Sequence, residues 1–306
     1  MKGYFPIRLN TLRSDEAVTF DVFIKIGNRY LHYTHQNDTL EAARIKNLKS
    51  KGLRKLFILE NNEDLYLLYL ESGLQGLSNQ AIAIDEKAAL ANDTLVSAAE
   101  NAEHNLETEQ GYKTQKQQLS YINDFIINQK GAIKEILKVA GVSLDTNQHS
   151  ATVSSLCIAV ANKVEDISKE DIFDLGVAAL LHDLGKNRLK FDSMKPMAQM
   201  SPAELKAYKQ HPQDGADMLA GKPYINPRIL GLIASHEERG EGRGYPEKKI
   251  ISKLPISYQI LSMVNQFDHF CSDNKLLATN GIDPFFEKFG NDYSDELITI
   301  LATVLT

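Results

Sequence analysis

Between Leu77 and Lys130 the chain contains no proline and a single glycine, Gly111, while Ala, Glu, Gln, Lys and Leu dominate. Such residues lose little side-chain freedom in a helix and leave its main-chain ladder unbroken, so long helices are predicted here. Two readings of these helices stand open. They connect domains and pair with a second copy to give a homodimer, or they only wrap the core that follows, since the heptads are too irregular to demand a coiled coil. The acidic Glu100, Glu103, Glu107 and Glu109 read as a solvated face. With helical patterning continuing to the C-terminus, the chain is expected to be mainly α, with residues 77–142 as connecting helices.

The first 76 residues read differently, as a small α/β module. Phe20 to Ile26 alternates like a strand, Gly27-Asn28 is a two-residue hairpin signal, and Arg29 to His35 is the return strand. Asp38 with Glu41 has the spacing of a capping box for a helix whose apolar face includes Ile45 and Leu48 and which stops at Gly52. Lys55 to Leu59 is a third strand, and Asp64 to Leu70 is too evenly apolar to assign to strand or helix. The module lacks the acidic pair and phosphoacceptor arrangement of a receiver domain. It reads either as a sensory or interaction module or as a structural one.

At 306 residues and 43% hydrophobic content the chain can form two ordinary domains with real cores. A net charge of -6 excludes the basic surface that grips nucleic-acid polymers, so an anionic ligand must be met by local charges or metal ions. The only cysteines, Cys157 and Cys271, lie in apolar helical patterns and are expected as buried reduced thiols, which suggests the cytoplasm. No apolar run approaches the roughly 18 residues of a membrane span, and residues 1–6 do not resemble a secretion signal, so neither membrane insertion nor export is expected.

From residue 143 to the end the pattern is all-α, with helix starts marked at Ser168 with Asp171, Ser201-Pro202 with Glu204, and Asn226-Pro227. Four of the eight histidines, His149, His182, His211 and His236, fall at helix positions or ends in this region. One histidine on an apolar helix is usually a satisfied core residue; the neighbours decide. His182-Asp183 closes an apolar helix and is followed by Leu184-Gly185-Lys186, pairing an imidazole with a carboxylate able to bridge two cations. His211-Pro212 is expected just after the helix that starts at Ser201, with Gly215 beyond, and His236-Glu237-Glu238 ends another helix. The following Arg239-Gly240-Glu241-Gly242-Arg243-Gly244-Tyr245-Pro246 is too glycine-rich for ordinary helix. His32, His35, His104 and His269 read as structural or surface residues.

This ordered set resembles the HD-GYP family: a histidine, His-Asp-x-Gly-Lys, His-Pro-x-x-Gly, and a His-containing segment leading into Gly-x-Gly-Tyr-Pro, all within about 100 residues. The resemblance covers roughly residues 143–272 and implies a C-terminal HD-type helical bundle, residues 143–306. It implies two divalent metal ions, iron first and manganese second, sometimes a third ion, and hydrolysis of cyclic di-GMP to pGpG or GMP in bacterial second-messenger signalling. Carried over by position, His149, His182, Asp183 and Asn265 hold one metal; Asp183 bridges; and His211, His236 and Glu237 hold the other. Lys186 matches the lysine near the substrate phosphate, and Asp145 the place where some members bind a third metal. Tyr245, Arg239 and Arg243 are candidates to meet guanine or phosphate, set against plain structural or solvated roles.

Two ligand positions depart from the family pattern: Glu237 stands where a second histidine is usual, and Asn265 where an aspartate is usual. Glutamate is a harder donor that favours iron or manganese, whereas asparagine offers only a neutral carbonyl and lowers affinity. The arginine usual after the first histidine is Thr152, and the usual Arg-Pro-Tyr after the late aspartate is replaced by Asn274-Lys275-Leu276. The expectation is a metal-dependent cyclic-di-GMP phosphodiesterase. Its alternative is a weak or inactive module that binds metal and cyclic dinucleotide or a GGDEF-domain partner. An HD phosphohydrolase acting on another nucleotide is a third reading.

Overall fold

A computed structural model describes residues 3–14, 16–143, 145–193 and 195–306. The chain divides into two compact units, Met1–Ser97 and Ala98–Thr306. The division falls inside one helix, Ile84–Glu100, so residues 77–142 are distributed between both units.

The first unit carries a four-stranded antiparallel sheet ordered β1-β4-β2-β3, with β1 Tyr4–Arg8, β2 Val22–Ile26, β3 Arg29–Thr34 and β4 Lys55–Leu59. The β2–β3 hairpin turns at Gly27, whose φ of +57° suits glycine. Strand β1 carries no legible alternation and contains Pro6; it is tolerated because β1 is an edge strand, where a missing N–H breaks no interior ladder. Helix α1 (Ala42–Ser50) begins at Glu41 without a side-chain cap, contrary to the capping box expected from Asp38. Asp38 instead accepts the Val18 N–H at its carbonyl, in an irregular pairing that holds it in extended chain. The unassigned stretch around Asp64 is helix α2 (Glu63–Gln75), which buries Tyr66, Tyr69, Leu70 and Leu74 at helical spacing. Helix α3 (Ile84–Glu100) follows.

The second unit is helical: α4 Ala102–Asn105, α5 Glu109–Asn128, α6 Ala132–Ala140, α7 Thr146–Ala161, α8 Lys169–Leu181, α9 Pro202–Leu219, α10 Pro227–Ser235, α11 Ile256–Asp273, α12 Ala278–Phe289 and α13 Asp295–Leu305. The protein is thus mainly α, with a small sheet at its N-terminal end. The caps at Ser168, Ser201 and Asn226 form as expected, Ser201 with Glu204 as a full capping box. Helix α7 is the core: every residue from His149 to Ala161 is buried, and α5, α6, α8, α11 and α13 all pack against it. Two of its buried hydroxyls are satisfied by main-chain carbonyls, that of Ser154 donating to Gly176 O at 2.9 Å and that of Ser155 to Ala151 O at 2.9 Å. Both cysteines are free and buried. No helix among the described residues is long and apolar enough to cross a membrane.

Candidate metal centre

Four elements converge on one buried point. His149 comes from the first turn of α7, His182 and Asp183 from the end of α8, His211 from within α9, and His236 from the end of α10. His211-Pro212 does not follow α9 but lies inside it, since the helix runs on to Leu219. The proline explains part of the site. Pro212 has no N–H to give the carbonyl of Tyr208 four residues back, and that carbonyl accepts the His211 Nδ1–H at 2.6 Å. The same device recurs at two helix ends, where the last carbonyls lack helical donors. His182 Nδ1 donates to Ala179 O and His236 Nδ1 to Ile233 O, each at 2.7 Å.

These bonds set the tautomer. With Nδ1 protonated, each of the three imidazoles turns an Nε2 lone pair inward, as metal-ligating histidines do. His211 Nε2 then faces His236 Nε2 at 3.0 Å with no proton to share. Asp183 Oδ1 lies 3.3 Å from His211 Nε2, 3.7 Å from His236 Nε2 and 3.5 Å from His182 Nε2, yet it is buried with no hydrogen-bond partner. Converging lone pairs beside an unsatisfied buried carboxylate oxygen need a cation between them. The donors form two groups that share Asp183: His149, His182 and Asp183; and Asp183, His211 and His236. The residues fit divalent metal ions.

The His149 side has different electrostatics. Burial alone would depress its pKa, but Asp268, whose Oδ2 lies 2.6 Å from His149 Nδ1, raises it above the ordinary value. His149 Nε2 faces His182 Nε2 at 3.1 Å and Asn265 Oδ1 at 3.0 Å, so a proton on it occupies the ground a cation would otherwise fill. Burial drives His236 down to about 3 and His182 well below its usual range. Burial would raise the Asp183 carboxyl, yet Lys186 with His182 and His211 holds it well below the carboxylate range. Lys186 Nζ donates to Asp183 Oδ2 at 2.7 Å and lies over the Tyr208 ring.

The motif glycines make the convergence sterically feasible. A Cβ at Gly185 would stand 2.0 Å from His211 O and 2.6 Å from Gly215 N, so the turn after Asp183 can lie against α9 only without side chains there. Gly244 serves the loop similarly, its missing Cβ falling 2.3 Å from Glu237 O.

Of the other residues singled out, Glu237 has Oε1 3.8 Å from His236 Nε2, at the margin of the second group. Burial, followed by the Glu237 charge, raises the Tyr245 hydroxyl well above its usual range, and its ring lies 6.3 Å from that of His211. Arg243 pairs with Asp292. Asp145 caps α7, accepting from Asn147 N at 3.1 Å and Gln148 N at 3.0 Å, and is not among the grouped donors. Arg239 is half-buried in the loop. Thr152 is buried, 3.4 Å from Ser143 Oγ, which in turn reaches Asp268.

Three contributors escaped the sequence reading. Asp268 orients His149; His269 stacks on it at 4.2 Å with its own Nε2 buried and unpartnered; and Glu238 holds the loop by accepting the N–H groups of Glu247 at 2.6 Å and Lys249 at 2.8 Å. The spacing of Asn265, Asp268 and His269 at i, i+3 and i+4 on α11 was the available signal, since it puts all three on one helix face.

A His-Asp pair at a helix end shares its carboxylate between two groups of buried imidazoles, and the family model described as HD domain matches residues 134–280, which include all of these donors. The cyclic di-GMP phosphodiesterase PA4108 of Pseudomonas aeruginosa is 24% identical over 152 residues, covering 50% of this chain and 36% of that protein. A cyclic di-GMP phosphodiesterase of Thermotoga maritima is 26% identical over 198 residues, covering 61% of this chain and 51% of its own length. The chain therefore spans from about a third to a half of these relatives. The solved structure of Bd1817, an HDG"Y"P protein from Bdellovibrio bacteriovorus, is similar with a TM-score of 0.80 and 26% identity, covering 99% of each chain. These likenesses support an HD-GYP family protein.

Proposed function

We propose that this protein is a metal-dependent phosphodiesterase that hydrolyses cyclic di-GMP to pGpG or GMP. The observation that carries the reading is Asp183, whose unsatisfied Oδ1 is shared by two groups of imidazoles with inward-facing Nε2 atoms. His149, His182, Asp183 and Asn265 would hold one ion, and Asp183, His211, His236 and Glu237 the other. The oxygen donors favour iron or manganese. A pair of divalent cations supplies Lewis-acid chemistry and lowers the pKa of water towards neutrality.

The chain's own groups supply the rest. Lys186 keeps an ammonium beside the shared carboxylate, where it offsets charge growing on non-bridging phosphate oxygens. Asp268 keeps His149 oriented, and the main-chain carbonyls keep the other imidazoles in the metal-binding tautomer. Tyr245, carried on the glycine loop, would contact a base or phosphate, whereas Arg243, paired with Asp292, is a weaker candidate than Arg239.

One observation favours a second reading, a module that binds metal and cyclic dinucleotide, or a GGDEF-domain partner, without turnover. Asn265 presents a neutral oxygen to His149, so Asp183 is the one carboxylate in the ligand set proposed for that side, Asp268 being bound instead to the far ring nitrogen of His149. Metal analysis combined with turnover separates the two. Protein reconstituted with iron or manganese is expected to carry two ions and to convert cyclic di-GMP to linear product. Two bound ions with tight nucleotide binding and intact substrate would favour the binding module. Neither binding nor cleavage would sink both.

A further inference from the structure

The β2–β3 hairpin of the first unit carries a second group of metal-type donors, one that the phosphodiesterase reading does not use. Asp21 immediately precedes β2, His35 immediately follows β3, and His32 lies in β3 opposite Phe23. The ladder is irregular between Val22 and Phe23, which pair with Thr34 and His32 respectively. The result is a convergence on one carboxylate oxygen: Asp21 Oδ1 is 3.1 Å from His32 Nε2 and 4.0 Å from His35 Nδ1. The two imidazole rings lie 4.0 Å apart.

A tetrahedral cation with bonds of about 2.0–2.2 Å holds its donors roughly 3.4 Å apart. The two spacings to Asp21 bracket that value, so a small rotation of His35 closes the set. Asp21 and His32 are already held. The Gln36 main-chain N–H donates to Asp21 Oδ1 at 3.0 Å, and the Phe23 ring meets His32 edge-on at 5.1 Å. Solvent reaches every donor, with side-chain exposures of 39% for Asp21, 33% for His32 and 77% for His35, so a cation can arrive and keep an open fourth position.

We infer that Asp21, His32 and His35 form a surface site for one borderline divalent cation of the zinc class. Two imidazoles and one carboxylate suit zinc, nickel or copper, whereas magnesium and calcium require oxygen-rich sites. The proposal is independent of the chemistry at Asp183.

The test is zinc binding by the full chain, measured by equilibrium dialysis with elemental analysis against a competing chelator. The intact chain is expected to hold one more zinc at micromolar free metal than the His32→Ala/His35→Ala variant. The Asp183→Asn variant is expected to keep that zinc. Asp21→Asn should weaken it by at least about 10-fold, the lower end of what losing even an outer partner of a metal ligand costs. The ring-nitrogen resonances of His32 and His35 should shift on zinc addition, a readout that requires no turnover. His35→Ala alone removes an exposed side chain, so misfolding does not confound it. Equal zinc content in the intact chain and the histidine variants, unshifted resonances, or binding only at millimolar zinc each overturns the proposal.

Discussion

Among the described residues, imidazoles gather around a carboxylate twice, in opposite environments. Around Asp183 the histidines are almost wholly buried, each Nδ1 is engaged, and the central oxygen is unsatisfied. Around Asp21 the donors are open to solvent, and the central oxygen accepts a main-chain N–H. Burial makes the first arrangement costly without a cation, because water cannot solvate its lone pairs. Exposure lets the second exist with or without one. Local donor spacing is therefore similar in the two sites, and the surroundings decide whether metal is required or optional.

The largest expected effect tests the requirement directly. Asp183→Asn removes the shared anion, so turnover should fall by at least about 10³-fold and metal content should drop in both groups, while the hairpin site is unaffected. Elemental analysis beside a cyclic di-GMP assay reads this, and retained metal in both groups would refute the shared-carboxylate reading. Gly185→Ala places a methyl against the α9 backbone, where neither side can give. A loss of about 3 kcal/mol is expected, roughly 6–12 °C in thermal midpoint for a unit of this size; an unchanged melting curve would show that the turn and α9 do not meet as described.

Asp268→Asn leaves the fold but removes the charge that holds His149, so affinity on that side should fall by about 10- to 100-fold while the His211 side changes less. Metal titration by calorimetry distinguishes this from uniform weakening. The contrast in burial also predicts a pH effect. His236 titrates near 3 in the fold against an ordinary 6.5, so its protonation favours the unfolded chain. The stability of the metal-free protein is then fully present above pH 6.5 and lost progressively as pH falls from about 6.5 towards about 3. Denaturant melts across that range check the sign, and His236→Gln should flatten the slope. The smallest effect belongs to the exposed site: His35→Ala should change stability by no more than about 0.5 kcal/mol. A large loss there would erase the distinction between the two sites.

Much of the buried site was legible because its parts are local. His182-Asp183 at a helix end, His236 before a glycine-rich loop, and the caps at Ser168, Ser201 and Asn226 each follow from neighbours in the chain. Legibility failed where a local signal pointed one way and packing another. Pro212 reads as a helix stop, yet α9 continues through it, and the carbonyl it frees at Tyr208 orients His211. Asp38 and Glu41 have cap spacing, yet pairing with Val18 holds Asp38 outside the helix. Pro6 obscures a strand that its edge position permits.

By itself the sequence determined the helical class, the sheet hairpin, and the order of donors along the chain, since propensity, capping and motif spacing act within a few residues. Only the tertiary structure decided that Asp268 would secure His149 across 119 positions, that Gly185 would meet Gly215, and that Asp21, His32 and His35 would face one another. Those facts depend on contacts between distant segments, whose geometry is set by the packing of whole helices and the register of a hairpin.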